Sequence, residues 1–310
     1  MEGGGQRLFE RFDTAVDGLR TRTPQAALAR EAAALRREEI VASTRQSGSS
    51  LDAVEVNLLL DRGRATGGHP LVAYLLVRDY AEAARFAADR VPHRAGDPRP
   101  FFTLSDIRRL HVLAARSESA GLPGAWRDVN PTPVAGGFIP APPWQIPAEV
   151  AAFVERFGRG PSGVPVPLWC ARMLAAFTRI RPYAAANGRV ARLVLGIVFA
   201  RLALPPVAFT GALARRYPTA LSAAAGRRPE PLALVIARAA IDGIERLRAA
   251  GDPTADYIPL AGGGAERASL YKAAQRGRLQ TIARNGRLYT TQAWLDGYRG
   301  SRSRAGRPRR

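Results

Sequence analysis

The chain has one cysteine, one lysine, three histidines and two methionines among its 310 residues. A lone Cys170 excludes a disulfide within the chain and suits a reducing compartment. A lone Lys272 means that nearly all of the basic charge is arginine. No stretch reaches the length of a membrane span. The most apolar run, "RLVLGIVFARLAL", is interrupted by arginine and is too short. The first twenty residues hold no apolar segment of signal-peptide length. A cytoplasmic protein with no membrane partner is the expectation. Acids are scarce as well, 26 against 46 basic residues, for a net charge of +20. An excess of that size favours polyanionic partners, nucleic acid first. Part of it also reflects a composition rich in alanine and arginine throughout. The content that remains, 46% apolar and 23% charged, is that of an ordinary globular chain. Its length allows one large domain and a small appendage.

Helical signals dominate residues 25–250. "QAALAREAAALRREEIVA" places apolar residues at helical spacing, and "STRQSGSS" breaks it. "LDAVEVNLLLDR" and "PLVAYLLVRDYAEAARFAADR" follow, the second with proline at its start. "TLSDIRRLHVLAARSE" opens on a capping residue, Thr103 or Ser105. From 121 to 147 the chain turns dense in proline and glycine, with short strand-prone pieces around Gly136-Gly137. This predicts a hairpin or a fixed irregular loop, and a segment of that length inside a compact domain is usually functional. Helices resume at "AEVAAFVERFGR" and "PLWCARMLAAFTRI". "GRVARLVLGIVFARLAL" is apolar nearly all round, which places it at the centre of a domain. Two more helices are expected over 211–225 and 230–250. No internal repeat is visible.

The stretch "RIRPYAAANGRVAR" runs from a small-residue loop straight into that central helix. A helix N-terminus presents unpaired N–H groups and a favourable dipole to an anion. Gly188 lets backbone approach closely, and the forks of Arg189 and Arg192 suit phosphate. The plainer reading is a glycine-containing helix start with two arginines reaching for the surface.

These residues resemble the motif of the Fic (Fido) family, all-helical proteins that transfer a nucleotide monophosphate from ATP to a protein hydroxyl. The family's pattern is His-Pro-Phe-x-Asp/Glu-Gly-Asn-Gly-Arg-x-x-Arg. The chain keeps Pro182, Asn187, Gly188, Arg189 and Arg192, and has Tyr183 for Phe. It departs at Arg181 for the His, Ala185 for the acid and Ala186 for the first Gly. "GAWRDVNPTPVAGGFIPAPPWQIP" resembles the family's flap, with Arg127 on its incoming side, Gly136 and Gly137 at its turn, and Phe138, Ile139 and Pro140 on its outgoing side. "STRQSG" resembles the inhibitory motif Ser/Thr-x-x-x-Glu-Gly/Asn, with Ser43 and Gly48 retained and Ser47 in place of Glu. Together these matches cover about residues 25–210.

The resemblance implies a Fido-like helical domain over 25–250. Within it lie a relic inhibitory motif at 43–48, a short β-hairpin flap at 121–147, and the motif loop and central helix at 179–201. It also implies a nucleotide or anion site at Arg181, Asn187, Gly188, Arg189 and Arg192, with ATP or another nucleotide as ligand and a protein partner at the flap. In the family the His is the general base. Arginine has no lone pair to offer and stays protonated, so Arg181 is an added cation instead. Ala185 supplies no oxygen ligand, so Mg²⁺ and any other metal are not expected. A pseudoenzyme follows, with an active transferase using a non-His base as the alternative. Ser47 removes the family's brake on Arg192; a site freed for nucleotide and a relic left to drift both fit that change. Among other groups, His111 reads as a helical core histidine, His69 and His93 fall in a turn and a loop, and Asp128 is the flap acid to check.

Residues 252–310 carry 12 basic and 4 acidic residues. "SLYKAAQRGRLQTIARNGRLYTTQAWLDGY" resembles the small winged helix-turn-helix of the MerR and excisionase type, here at 252–299. DNA contacts would fall on Lys272, Gln275, Arg276 and Arg278 of the helix and on Arg284 and Arg287 of the wing. The run of glycines at 262–264 is poor material for the first helix of such a module. The alternative is a small helix-and-hairpin unit for protein contact. Residues 1–24 read as an N-terminal extension and 300–310 as a disordered basic tail.

Overall fold

The computed structural model describes residues 2–20, 25–90, 98–118, 121–131, 138–250, 257–260, 264–284 and 287–305. They divide into two compact units, Ala32–Ala240 and a second formed by Met1–Glu31 with Ile241–Arg310.

The larger unit is helical. After α1 (Glu2–Arg20) of the other unit come α2 (Gln25–Arg45), α3 (Ala53–Arg62), α4 (Leu71–Ala88), α5 (Leu104–Ala114), α6 (Ile146–Phe157), α7 (Val166–Ile180), α8 (Asn187–Arg201), α9 (Gly211–Ala225) and α10 (Glu230–Ala250). Two starts are fixed by capping boxes. Asp52 pairs with Glu55 at α3, and Thr103 pairs with Asp106 at α5, so Thr103 is the cap rather than Ser105. Helix α8 is the axis: α4, α5 and α7 pack on it, and α6 and α9 pack on α7. Its Val190, Leu193, Val194, Leu195, Ile197, Val198 and Phe199 are all buried, as its all-round apolar pattern requires. Arg201 at its far end donates from Nη2 to the Arg99 carbonyl at 2.7 Å. No helix among the described residues is long and apolar enough to cross a membrane.

The described flanks of the flap, 121–131 and 138–142, contain no strand. The expected hairpin turn at Gly136-Gly137 lies outside the described residues. The flanks are held by isolated hydrogen bonds, because Pro123, Pro131, Pro140 and Pro142 have no N–H for a ladder. Ala125 N–H donates to the Leu122 carbonyl at 3.0 Å, and Ala141 N–H to the Arg179 carbonyl at 3.2 Å.

The smaller unit differs from the expected one at both ends. The N-terminal extension is the helix α1, which buries Phe12 and Ala15 and pairs Arg11 with Glu245 at 2.6 Å. Arg246 binds Glu31 at 2.7 Å and the Ala283 carbonyl at 3.2 Å. The end of α10 therefore belongs with the C-terminal module, and the unit does not begin at 252. The module itself is β1 (Tyr257–Pro259), α11 (Gly264–Gln275), β2 (Ile282–Arg284), β3 (Arg287–Thr291) and α12 (Gln292–Ala305). Its antiparallel sheet has the order β1-β3-β2, with Tyr257 opposite Thr291 and Ile282 opposite Tyr289. Leu260, Leu270, Leu279 and Leu295 form its core, with Trp294 and Tyr298 packed against it. Among the described residues, one helix stands between β1 and β2 rather than a helix–turn–helix pair. Helix α12 runs through Ala305 and takes in the first six residues of the segment read as disordered.

Candidate functional site

The motif loop lies between α7 and α8. Arg181 ends α7 in the left-handed region at φ 46°, and Ala186 precedes α8 at φ 60°. Ala186 stands where the family pattern has glycine, so the loop keeps a glycine-type turn without the residue that adopts it freely, a strain of about 1 kcal/mol. Asn187 closes the loop on itself. Its Oδ1 accepts from Tyr183 N–H at 2.9 Å and its Nδ2 donates to the Tyr183 carbonyl at 2.7 Å. Gly188 has no positive φ, and a Cβ there would meet only the Arg192 guanidinium, at 3.4 Å. Its bare backbone therefore faces the open side.

That open side is a cavity of about 430 Å³. Arg181, Asn187, Gly188, Arg189 and Arg192 all line it, together with Ser47, Ala185 and Ala186. The loop thus gathers all five residues expected of the anion site. Glu118, just beyond α5, also lines the cavity and was not singled out in the sequence. Its carboxylate takes the Arg189 guanidinium in an ion pair. Burial first, then the neighbouring Arg192, pushes the Arg189 pKa down to about 10, which still leaves it charged at neutral pH. Three arginines against one carboxylate leave the lining positive, and Arg181 makes no ion pair among the described residues.

Arg192 is held from the α2 side. Its Nε donates to Ser43 Oγ at 2.9 Å, and its Nη2 donates to the Ser43 carbonyl and to Ser47 Oγ, both at 3.0 Å. Ser43 Oγ donates onward to Glu39 at 2.9 Å, and Glu39 also accepts from Tyr80. Burial raises the Glu39 pKa. Ser47 thus offers Arg192 a neutral hydroxyl. Gly48 follows at φ 98° and closes the turn after α2.

Beneath the loop, Tyr183 is fully buried. His111 stacks on it at 3.6 Å with the rings 2° from parallel, and Trp126 packs against it at 5.0 Å. His111 Nδ1 accepts from Gly124 N–H at 2.8 Å. Burial first, with the Arg189 charge added and the Ala185 backbone opposing, lowers its pKa from 6.5 to about 4. The unfolded chain then takes a proton that the folded chain refuses. Stability should be full above pH 6.5, fall as pH drops from 6.5 to 4, and stay level below, with a loss of about 3 kcal/mol. His111→Gln, which keeps an acceptor for Gly124, should flatten urea-unfolding stability across that window.

Arg127 is not on the cavity surface. It is buried, and its guanidinium donates to the carbonyls of Arg181 at 2.7 Å, Val129 at 2.9 Å, Ile180 at 3.2 Å and Ala141. One side chain thus ties the incoming flap, the outgoing flap and the end of α7. Asp128 is exposed and lies outside the cavity lining. Phe138 is half-buried, Ile139 exposed and Pro140 buried. His69 is bound by Ser50 at 2.7 Å and Glu55 at 2.9 Å and does not line the cavity. His93 lies outside the described residues.

In the C-terminal module, Lys272 and Gln275 are exposed on the last turn of α11, with Arg276 and Arg278 exposed just after it and Arg287 at the start of β3. Arg284 is placed in β2 opposite Arg287.

The arrangement of motif loop, central helix and flap has counterparts. Residues 101–198 match the Fic/DOC family, a segment of about a third of the chain. Comparison with curated proteins gives no match. Among solved structures, a Fic-domain-containing signaling protein from Bacteroides thetaiotaomicron aligns with TM-score 0.63 and 19% identity, over 79% of this chain and 97% of that one. Fic-1 (aa134–508) from C. elegans aligns with TM-score 0.67 and 16% identity, over 78% and 71%. A Fic family protein from Desulfovibrio desulfuricans G20 aligns with TM-score 0.62 and 17% identity, over 100% and 98%. At these identities the likeness establishes the fold. The chain carries a Fic domain at 101–198 within a mostly helical, Fic-like architecture.

Proposed function

We propose that this is a catalytically degenerate Fic-fold protein whose motif cavity binds the phosphates of ATP or another nucleotide without transferring AMP. The observation that carries this reading is the positive lining: Arg181, Arg189 and the α8 N-terminus converge on a cavity of about 430 Å³, within the size range of small-molecule sites. The residues present fit phosphate but not Mg²⁺. Glu118 is the one carboxylate in the lining, and Arg189 occupies it, whereas magnesium takes an octahedral set of oxygen ligands. No lining side chain has a base free to accept the proton of an attacking hydroxyl. An active transferase with a non-His base would have to use Glu118, and its salt bridge argues against that role. The test is equilibrium binding of ATP without metal to the full chain. Arg181→Ala and Arg189→Ala should each weaken it about tenfold or more, since a hydrogen bond to a charged group is worth about 1.5–3 kcal/mol. Unchanged affinity in both variants would remove the cavity from the account.

DNA binding through the C-terminal module is the second part of the reading, supported by the exposed Lys272, Gln275, Arg276, Arg278 and Arg287. The protein would then act as a regulator or as the non-catalytic partner of another component. Combined Lys272→Glu, Arg276→Glu and Arg278→Glu should weaken duplex binding and lower its salt slope by about 3, one for each phosphate no longer neutralised. No duplex binding by the unmodified chain at low salt would sink this part.

A further inference from the structure

A second cavity, of about 780 Å³, is lined in part by the flap's outgoing segment, and nothing in the nucleotide reading uses it. Its floor is apolar, built on Phe153 and Phe157 of α6 and on Ala175, Ala176 and Ile180 of α7. One wall is the stiff run Ile139 to Pro142. The rim is basic: Arg156, Arg172, Arg179 and Arg227 stand around it, with Glu149 the one opposing acid. None of the four arginines makes an ion pair among the described residues, and all four are exposed. Two are already ordered by other contacts. Arg156 lies over the Phe157 ring at 5.2 Å, and Arg179 donates to the Ala225 carbonyl at 3.2 Å. Beside the mouth, Ile139 is 86% and Trp144 75% exposed, two large apolar side chains on one short segment.

We propose that this groove docks an acidic segment of a partner protein, one carrying leucine-like side chains between its carboxylates. An apolar floor under unpaired guanidinium forks suits carboxylates above and aliphatic groups below, and arginine and tryptophan are the residues that anchor protein interfaces. A duplex offers phosphates but no apolar side chain to cover the exposed Ile139. The chain's own basic end, "SRSRAGRPRR", and a second copy at net charge +20 are both repelled. The docking surface stands or falls independently of nucleotide binding.

The test uses the full chain and a fluorescein-labelled peptide of alternating glutamate and leucine, with duplex DNA and poly-glutamate as competitors. The peptide should bind at low salt and weaken as salt rises. Arg156→Glu with Arg172→Glu should weaken it about tenfold or more. Ala176→Trp, which fills the floor without changing charge, should weaken it as well, while Lys272→Glu leaves it unchanged. Unaltered thermal unfolding shows that each variant is folded. Equal binding by the reversed-charge and filled variants overturns the proposal. So does poly-glutamate competing as well as the peptide, or duplex DNA displacing it from the groove.

Discussion

Arg127→Met is expected to destabilise the larger unit by about 3 kcal/mol. The buried guanidinium serves four carbonyls, those of Val129, Ala141, Ile180 and Arg181. Methionine fills much of the volume but donates nothing, so all four carbonyls lose their partner, that of Ile180 in a buried bond and the others in part-buried ones. Each buried acceptor left unsatisfied costs about 1–3 kcal/mol. Burial, with Arg181 nearby, lowers the Arg127 pKa, but arginine stays charged at any pH of interest, so the interaction should not titrate. Three of the four carbonyls belong to the flap's outgoing segment and the end of α7. The variant should therefore also loosen the loop that positions Arg181, and hydrogen exchange at Ala141 N–H should rise with the urea-unfolding change. A stability loss under 1 kcal/mol would mean that water reaches these carbonyls and the clamp does not fasten the flap.

Much of the helical unit was legible because periodicity reports burial. The all-round apolar pattern of α8 put it at the centre, and the structure buries it there. A cap at Thr103 or Ser105 was legible from side-chain chemistry, and the structure places it at Thr103. The motif residues from Arg181 to Arg192 were legible as a group because they are close in sequence, and a loop running into a helix holds them together. Glu118 was not. It comes from 71 positions away to meet Arg189, and an acid after a helix carries no sign of a distant partner. Arg127 was read as a flap residue, yet it works by hydrogen bonds to carbonyls, which every residue has and no sequence pattern displays. The C-terminal module was read by likeness to a helix-turn-helix, and the glycines at 262–264 marked where that likeness was weakest. Among the described residues, β1 and one helix, α11, precede β2. Pairing of α1 with the end of α10 rests on Arg11 and Glu245, far apart in the chain, and so left no local signal.

The second large effect is a gain rather than a loss. Arg181→His with Ala185→Asp returns to the motif the base and the acid that the family pattern carries at those positions. The remaining parts are in place: Asn187 ties the loop, Arg189 lines the cavity and the α8 N-terminus faces it. Histidine at 181 would inherit a left-handed backbone at φ 46°, which histidine tolerates better than most residues. Restoring a general base alone is worth about 10²–10⁴ in rate, and a carboxylate at 185 would add an oxygen ligand beside the phosphates that the proposed reading assigns to the arginines. Ser47 leaves Arg192 without the carboxylate of an inhibitory motif, so no further change should be needed to admit the nucleotide. Ser47→Glu placed on top of the double variant should suppress the gain by pairing with Arg192, whose Nη2 already reaches that side chain at 3.0 Å.

The most direct test of the central claim, a phosphate-binding Fic cavity stripped of its chemistry, is self-modification of the full chain by labelled ATP with Mg²⁺, for the natural sequence and the Arg181→His, Ala185→Asp variant side by side. The account predicts no label on the natural chain and label on the double variant, lost again when Arg189 is also changed to Ala. Labelling of the natural chain at a comparable rate, or none on a folded double variant, would contradict it.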